Sequence, residues 1–283
     1  MAYLSVSTWS LHRLLGPLRW TYWDEQHQTQ ATREQEQPQE IELLDLPAVA
    51  AKRGYRAIEI CHFHFPSTDE DFLGRLKLSF DRADMLFDTL LLDYGDLTSP
   101  NEARRAADLA WMKRWIGIGA ACGARRIRII AGEADAADQA ALRQSSQALA
   151  ELAEYGRQTG IQVVSENFKS LTTRAANGVE LVRSAEGKLG YITDFGNYRG
   201  DGKFEEIAMT APLSQSVHVK AQDDSDGRPD ADELRRCLDA AHHSGFDGAY
   251  VLIYDGPGDM WQGLERLKPL VEPYITGKKG AES

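Results

Sequence analysis

Three short apolar runs in the second half of the chain each end in a side chain that can bind a metal ion or carry a proton. Ile161 to Ser165 leads into Glu166 and Asn167, Tyr191 to Thr193 leads into Asp194, and Ser216-Val217 leads into His218. A β-branched run of this length, with Gly160 before it, reads as a strand buried on both faces. A carboxylate at the end of such a strand is costly unless it is paired, hydrogen-bonded or metal-bound. Glu166, Asp194 and His218 on three successive strand ends form a donor set for one divalent ion. Two hard oxygens and one nitrogen suit Mn²⁺, Mg²⁺, Co²⁺ or Zn²⁺. The plainer alternative is three unrelated polar residues beside loops, and recurrence on consecutive strands favours the metal set.

The elements that would position this trio are legible along the chain. Strand-like runs fall at Tyr3–Trp9, Tyr55–Cys61, Leu86–Leu92, Arg126–Ile130, Ile161–Phe168, Leu189–Asp194, Ser216–Lys220 and Ala249–Tyr254, with helical stretches between them. Eight alternating strands and helices predict a single-domain α/β fold, a (β/α)₈ TIM barrel over residues 1–275. An open doubly wound sheet is the runner-up, but no G-x-G-x-x-G follows the first strand. Barrel sites lie at the C-terminal ends of the strands, where all three metal-capable residues fall. Residues 16–40 interrupt the pattern with Trp20, Tyr22 and Trp23, then a Gln/Glu-rich run. This is expected to be a loop insertion after strand one, a lid at the barrel mouth whose far half is solvated and mobile. The tail, 276–283, is small and charged and is expected to fray.

Composition narrows the partners. The 283 residues carry a formal net charge of −11 and three widely spaced cysteines. The acidity argues against nucleic acid and anionic membrane as partners. Three cysteines, odd in number, make no disulfide framework, and a cytoplasmic setting is expected. A small-molecule substrate fits best, and a homo-oligomer is compatible with the sequence.

With Ser165-Glu166-Asn167, Thr193-Asp194-Phe195-Gly196-Asn197, His218-Val219-Lys220 and Gly245-Phe246-Asp247-Gly248 in hand, the chain resembles the xylose isomerase-like TIM barrels. That group includes sugar phosphate isomerases and epimerases, ketose 3-epimerases, inosose dehydratase-like enzymes and endonuclease IV. The resemblance covers nearly the whole chain except 16–40. It implies a metal-dependent isomerase or epimerase acting on a keto sugar, polyol or sugar phosphate, with Glu166 as joint ligand and base. It also implies a glutamate at the end of strand eight, where this chain has Ile253. That departure leaves a dehydratase or other lyase in play. An endonuclease IV-like nuclease and a non-catalytic sugar-binding barrel are further alternatives.

The remaining candidates rest on position. Asp255 points to the same side as Ile253, roughly 6–7 Å further along, and can act as a replacement acid or simply as a turn residue before Gly256. Lys220 shares a strand face with His218 and can stabilise an enolate or sit in an ion pair. Asn197, Trp9, His12, His62, His64 and Glu133 follow strands and are candidates for substrate contact. His62 and His64 oppose Glu59 and Cys61 by strand alternation. If Glu59 faces the interior, Arg128 is its expected partner.

Overall fold

The computed structural model describes residues 1–276. The elements in chain order are β1 (Tyr3–Ser7), β2 (Leu18–Asp24), β3 (Thr29–Gln35), α1 (Leu46–Lys52), β4 (Ala57–Cys61), α2 (Glu70–Arg82), β5 (Leu86–Leu91) and α3 (Glu102–Ala121). They continue as β6 (Arg126–Arg128), α4 (Gln139–Thr159), β7 (Gln162–Glu166), α5 (Ala175–Ser184), β8 (Gly190–Asp194), α6 (Lys203–Thr210), β9 (Ser214–Lys220), α7 (Ala231–His243), β10 (Ala249–Ile253) and α8 (Met260–Thr276). Among these residues, eight parallel strands close a barrel in the order β1-β10-β9-β8-β7-β6-β5-β4, and β1 pairs with β4 to seal it. The eight-unit barrel expected from the alternation is therefore the observed fold. The end of the expected frayed tail, beyond Thr276, lies outside the described residues.

Local chemistry sets the helix ends. Asp138 opens α4 by accepting from the backbone N–H groups of Ala140 and Ala141, and Gly160 closes it at φ +84°, a left-handed position that suits glycine. Asn101 and Asp230 cap α3 and α7 in the same way. Asp45 stands at the start of α1 but makes no capping bond there, so Pro47 is the stronger start signal.

Strand alternation divides the core in two. Val163, Val217, Val219, Tyr250 and Leu252 face outward and pack with the helices in the main core. Val164, Ile192, Cys61 and Leu91 face inward and form a smaller cluster inside the barrel. Because Val164 and Ile192 point inward, Glu166 and Asp194, two residues on, do too. Register places Asp194 beside His218, and Ile253 beside Lys220. Among the described residues no helix is long and apolar enough to cross a membrane.

The insertion at 16–40 corrects the sequence reading. It is a β-hairpin and not an irregular loop, although residues 25–29 and 32–36 are solvent-exposed as expected: β2 and β3 pair antiparallel from Leu18↔Gln35 to Asp24↔Thr29. Alternating Thr, Tyr and Trp support a strand, and the Gln-rich partner supplies polar residues for its exposed face. Trp20 lies over the barrel mouth, with its ring centroid 4.3 Å from that of Phe63. Trp23 packs on the helix layer, while Tyr22 is exposed. The hairpin is pinned to α3 through Asp108, which is fully buried. Asp108 accepts from Gln30 Nε2 at 3.0 Å, Tyr94 Oη at 2.6 Å and the Asp96 N–H at 3.0 Å. Arg104 Nε stands 3.5 Å away.

Asp108→Ala removes the acceptor for all these donors at once. We expect a loss of about 3 kcal/mol in urea unfolding, the scale of breaking a buried charged network. Faster hydrogen exchange over 29–35 should accompany it, and a hairpin as protected as in the parent protein would show that other contacts hold it.

Candidate metal and substrate site

The inward-facing ends of the strands line a cavity of about 290 Å³. That is near the lower end of the range for small-molecule sites, about 300–1,000 Å³. Its floor is the trio from β7, β8 and β9. One ligand atom each from Glu166, Asp194 and His218 lies within 4.8 Å of the others, and all three residues are buried.

His218 decides the shape of the floor. Its Nε2 donates to Glu59 Oε2 at 2.7 Å, and Glu59 also accepts from Ser216 Oγ at 3.1 Å. This leaves Nδ1 turned toward the carboxylates, 3.4 Å from Glu166 Oε1 and 3.6 Å from Asp194 Oδ2. Burial alone would lower the pKa of His218, but the Glu59 and Glu166 carboxylates outweigh it and hold the ring well above its usual range. Burial likewise opposes ionisation of Glu59, yet His218 brings it below the ordinary carboxylate range. A carboxylate behind a histidine, fixing which ring nitrogen faces inward, is a recurrent device for presenting a lone pair to a metal.

The other two members are also oriented. Asp194 Oδ1 accepts from the Gly196 N–H at 2.6 Å, and Asn167 exchanges two hydrogen bonds with the Asp194 backbone at 2.7 and 2.8 Å. Glu166 Oε2 is buried without a hydrogen-bond donor, although Arg128 Nε lies 3.1 Å away. Asn197 Nδ2 makes a long contact of 3.5 Å to Oε1. Two carboxylate oxygens and one imidazole nitrogen converging from three strands, one carboxylate carrying an unsatisfied oxygen, fit a divalent ion.

The wall is contributed by other elements. Trp9, Trp20, Phe63 and Phe168 supply aromatic faces, and Asn197, Lys220, Ile253 and Asp255 also line the cavity. Lys220 Nζ stands 3.8 Å from Asp255 Oδ2. Both readings of these two residues thus meet in one ion pair at the rim.

Four sequence-derived contact candidates do not line the cavity. His12 stacks on Trp9 from behind, with ring centroids 4.3 Å apart, and its Nδ1 bonds the Trp9 carbonyl. His62 turns outward against Trp111 and Trp115. It accepts from the Asp93 N–H on Nδ1 and so carries its proton on Nε2, toward Thr21 of the hairpin. His64 is buried against Thr8. Glu133 is a surface residue 3.5 Å from Lys169. For His62 the reason is alternation: Glu59 and Cys61 take the interior face of β4, which sends His62 into the helix layer. The expected Glu59–Arg128 pair is not formed either. Glu59 lies level with β9 and pairs with His218, while Arg128 bonds Asp93 Oδ1 at 2.6 Å.

Arg128, Asp93, Phe168 and Lys169 are lining residues that sequence reasoning did not assign to the site. For Asp93 a signal existed. Leu90-Leu91-Leu92 running into Asp93 repeats the pattern that singled out Glu166 and Asp194.

The comparisons with known proteins agree with this architecture. A family model described as xylose isomerase-like TIM barrel matches residues 47–270. No curated protein matches the chain in sequence. Among similar solved structures is D-psicose 3-epimerase in the presence of D-fructose, 15% identical with a TM-score of 0.70, covering 97% of this chain and 99% of that one. Another is the probable 3-DHS dehydratase AsbF of Bacillus anthracis, 17% identical with a TM-score of 0.68, covering 96% and 99%. A third is a xylose isomerase-like TIM barrel protein of Mycobacterium smegmatis in complex with magnesium, 14% identical with a TM-score of 0.63, covering 82% and 88%. At these identities the likeness establishes the shared fold.

Two outcomes follow from this geometry. Glu59→Gln keeps the shape but removes the charge behind His218, and divalent-ion affinity should fall about 10–100-fold by competition with a chromogenic chelator. Burial pushes His62 down to about 4 and His64 down to about 3. Both stay neutral in the fold while the unfolded chain takes up protons below about 6.5. Their contribution is therefore intact above that pH and is lost as pH falls from about 6.5 toward 4 and then 3. Urea unfolding across this window should show a decline that His62→Gln makes shallower.

Proposed function

Because the chain belongs to the xylose isomerase-like TIM barrels, we propose that it is a divalent-metal-dependent enzyme that moves a proton beside a carbonyl of a small, sugar-like substrate. The observation that carries this reading is the convergence of Glu166, Asp194 and His218 within 4.8 Å on the floor of the cavity. When bound, a divalent ion supplies Lewis acidity that polarises a carbonyl and acidifies the neighbouring C–H. Glu166 is the base: its Oε2 lies 3.1 Å from Arg128 Nε, and it reaches the cavity through Oε1. The aromatic wall of Trp9, Trp20, Phe63 and Phe168 offers apolar faces to the C–H side of a sugar and keeps water out. Asn197 is placed to hold a substrate hydroxyl near Glu166.

Ile253 favours a second reading within the same chemistry. A two-base epimerase needs an acid on each side of the substrate plane, and Ile253 cannot carry a proton. An isomerase that returns the proton from one side, or a dehydratase that expels a hydroxyl after proton removal, needs only Glu166 as base. Asp255 can serve as the second acid only across its ion pair with Lys220.

The test is deuterium exchange. Protein loaded with Mn²⁺, Mg²⁺, Co²⁺ or Zn²⁺ is incubated in D₂O with a panel of keto sugars and inosose and followed by NMR. Deuterium at the carbon beside the carbonyl is expected for at least one member, and Glu166→Gln should lower its rate about 10²-fold or more. Retained deuterated sugar marks an isomerase or epimerase, and loss of water marks the lyase. Absence of metal binding after reconstitution with all four ions would sink the proposal.

A further inference from the structure

Arg128 is a charged group that the proton-transfer chemistry leaves partly unused. It lies in the cavity wall and is almost wholly buried. Its Nη2 is committed to Asp93 Oδ1 at 2.6 Å. Its Nε is 3.1 Å from Glu166 Oε2, but the N–H is not aimed along that line, so the contact is ionic and not a hydrogen bond. Among the described residues Nε and Nη1 therefore donate to nothing. Buried donors on a cation are among the most costly groups to leave unmatched. Nε–H shares an edge with the committed Nη2, and Nη1 lies on the other side, so Nη1 is left to give a single charge-assisted hydrogen bond to a carboxylate oxygen.

A second cation stands beside it. Arg128 Cζ lies 4.8 Å from the ring centroid of Phe168, and Lys169 Nζ lies 5.3 Å from the same centroid. Lys169 also lines the cavity. Its backbone is at φ +69° and ψ 174°, a region almost reserved for glycine. Thr172 holds this turn: its Oγ1 accepts from the Phe168 N–H at 3.1 Å. The only ion-pair neighbour of Lys169 among the described residues is Glu133, 3.5 Å away and outside the lining. Lys220, by contrast, is engaged with Asp255 on the wall itself.

The charge balance points the same way. With His218 counted as neutral, the form in which it ligates a metal, the lining holds four carboxylates, Asp93, Glu166, Asp194 and Asp255, against the three cations Arg128, Lys169 and Lys220. A bound divalent ion turns this single negative excess into a single positive one. One singly charged anion then neutralises the cavity.

From these features we propose that the substrate is a carboxylate-bearing, sugar-like molecule, with Arg128 and Lys169 as the specificity-determining residues that hold its carboxylate. The inference rests on the metal-bearing site described above and refines its substrate class. Its test is calorimetric binding to the metal-loaded protein and needs no turnover, so an absence of deuterium exchange leaves it intact. The probes are D-gluconate, D-glucitol and D-glucitol 6-phosphate, which share one carbon skeleton and differ at its end. D-gluconate should bind about tenfold or more tightly than either of the others. Arg128→Gln and Lys169→Gly should each cut that preference to about twofold. Glycine accepts the backbone angles of Lys169, so the second variant should melt no lower than the parent protein and decides the matter if Arg128→Gln does not fold. Equal affinity for D-gluconate and D-glucitol would overturn the proposal. So would tighter binding of D-glucitol 6-phosphate, which assigns the cations to a phosphate. A D-gluconate preference that survives Lys169→Gly would overturn it too, since chelation by the ion alone then explains it.

Discussion

A carboxylate in the dry interior of a barrel must be matched by a donor or it will not stay ionised, and Glu59 is matched by His218. The hydrogen bond of 2.7 Å from His218 Nε2 to Glu59 Oε2 joins β4 to β9 across the barrel, with Ser216 completing the acceptor's partners. This single contact compensates two costly burials at once. It also turns the imidazole so that Nδ1, not Nε2, looks toward Glu166 and Asp194. Without it the ring has no reason to hold one orientation, and the three donor atoms have no common centre.

The layer above follows the same logic of matched charge. Arg128 answers the nearby carboxylates of Asp93 and Glu166, and the pair of Lys220 and Asp255 closes the rim. Arg128, Asp93 and Glu166 are shielded from solvent, so their interactions are little screened, whereas Lys220 and Asp255 are partly exposed at the rim. The polar residues sit on the inward face of the strands, and the outward face of the same strands is apolar and packs on the helices. The barrel can therefore concentrate charge at one end while its stability comes from a core that the site does not touch.

The hairpin adds what a bare barrel lacks. It carries Trp20 over the mouth and buries it against Phe63, and its polar edge reaches α3 through Gln30 and Asp108. Two-stranded hairpins are marginal alone. This one is supported by a buried acidic acceptor on one side and by the His62–Thr21 contact on the other. His62 thus serves the roof of the cavity from outside it.

The repeating alternation of apolar runs and helices, and the three runs ending in Glu166, Asp194 and His218, were readable from residue order alone. Period-2 and period-3.6 patterns are local, and a polar residue at the end of an apolar run stands out without any knowledge of its neighbours. The same holds for Ile253, whose inability to act as an acid is a property of its side chain. What residue order left open is everything that depends on which face a strand presents and what lies across the barrel. Alternation stated that either Glu59 or His62 faces inward, and only closure of the barrel decided for Glu59. Arg128 was within sight of Glu59 by type, but the relative height of β4, β6 and β9 gave Glu59 to His218 and Arg128 to Asp93. Residues 16–40 read as a loop because their polarity is that of an exposed segment. Strand pairing satisfies their backbone regardless of side-chain polarity, and that pairing is a contact between residues up to 17 positions apart.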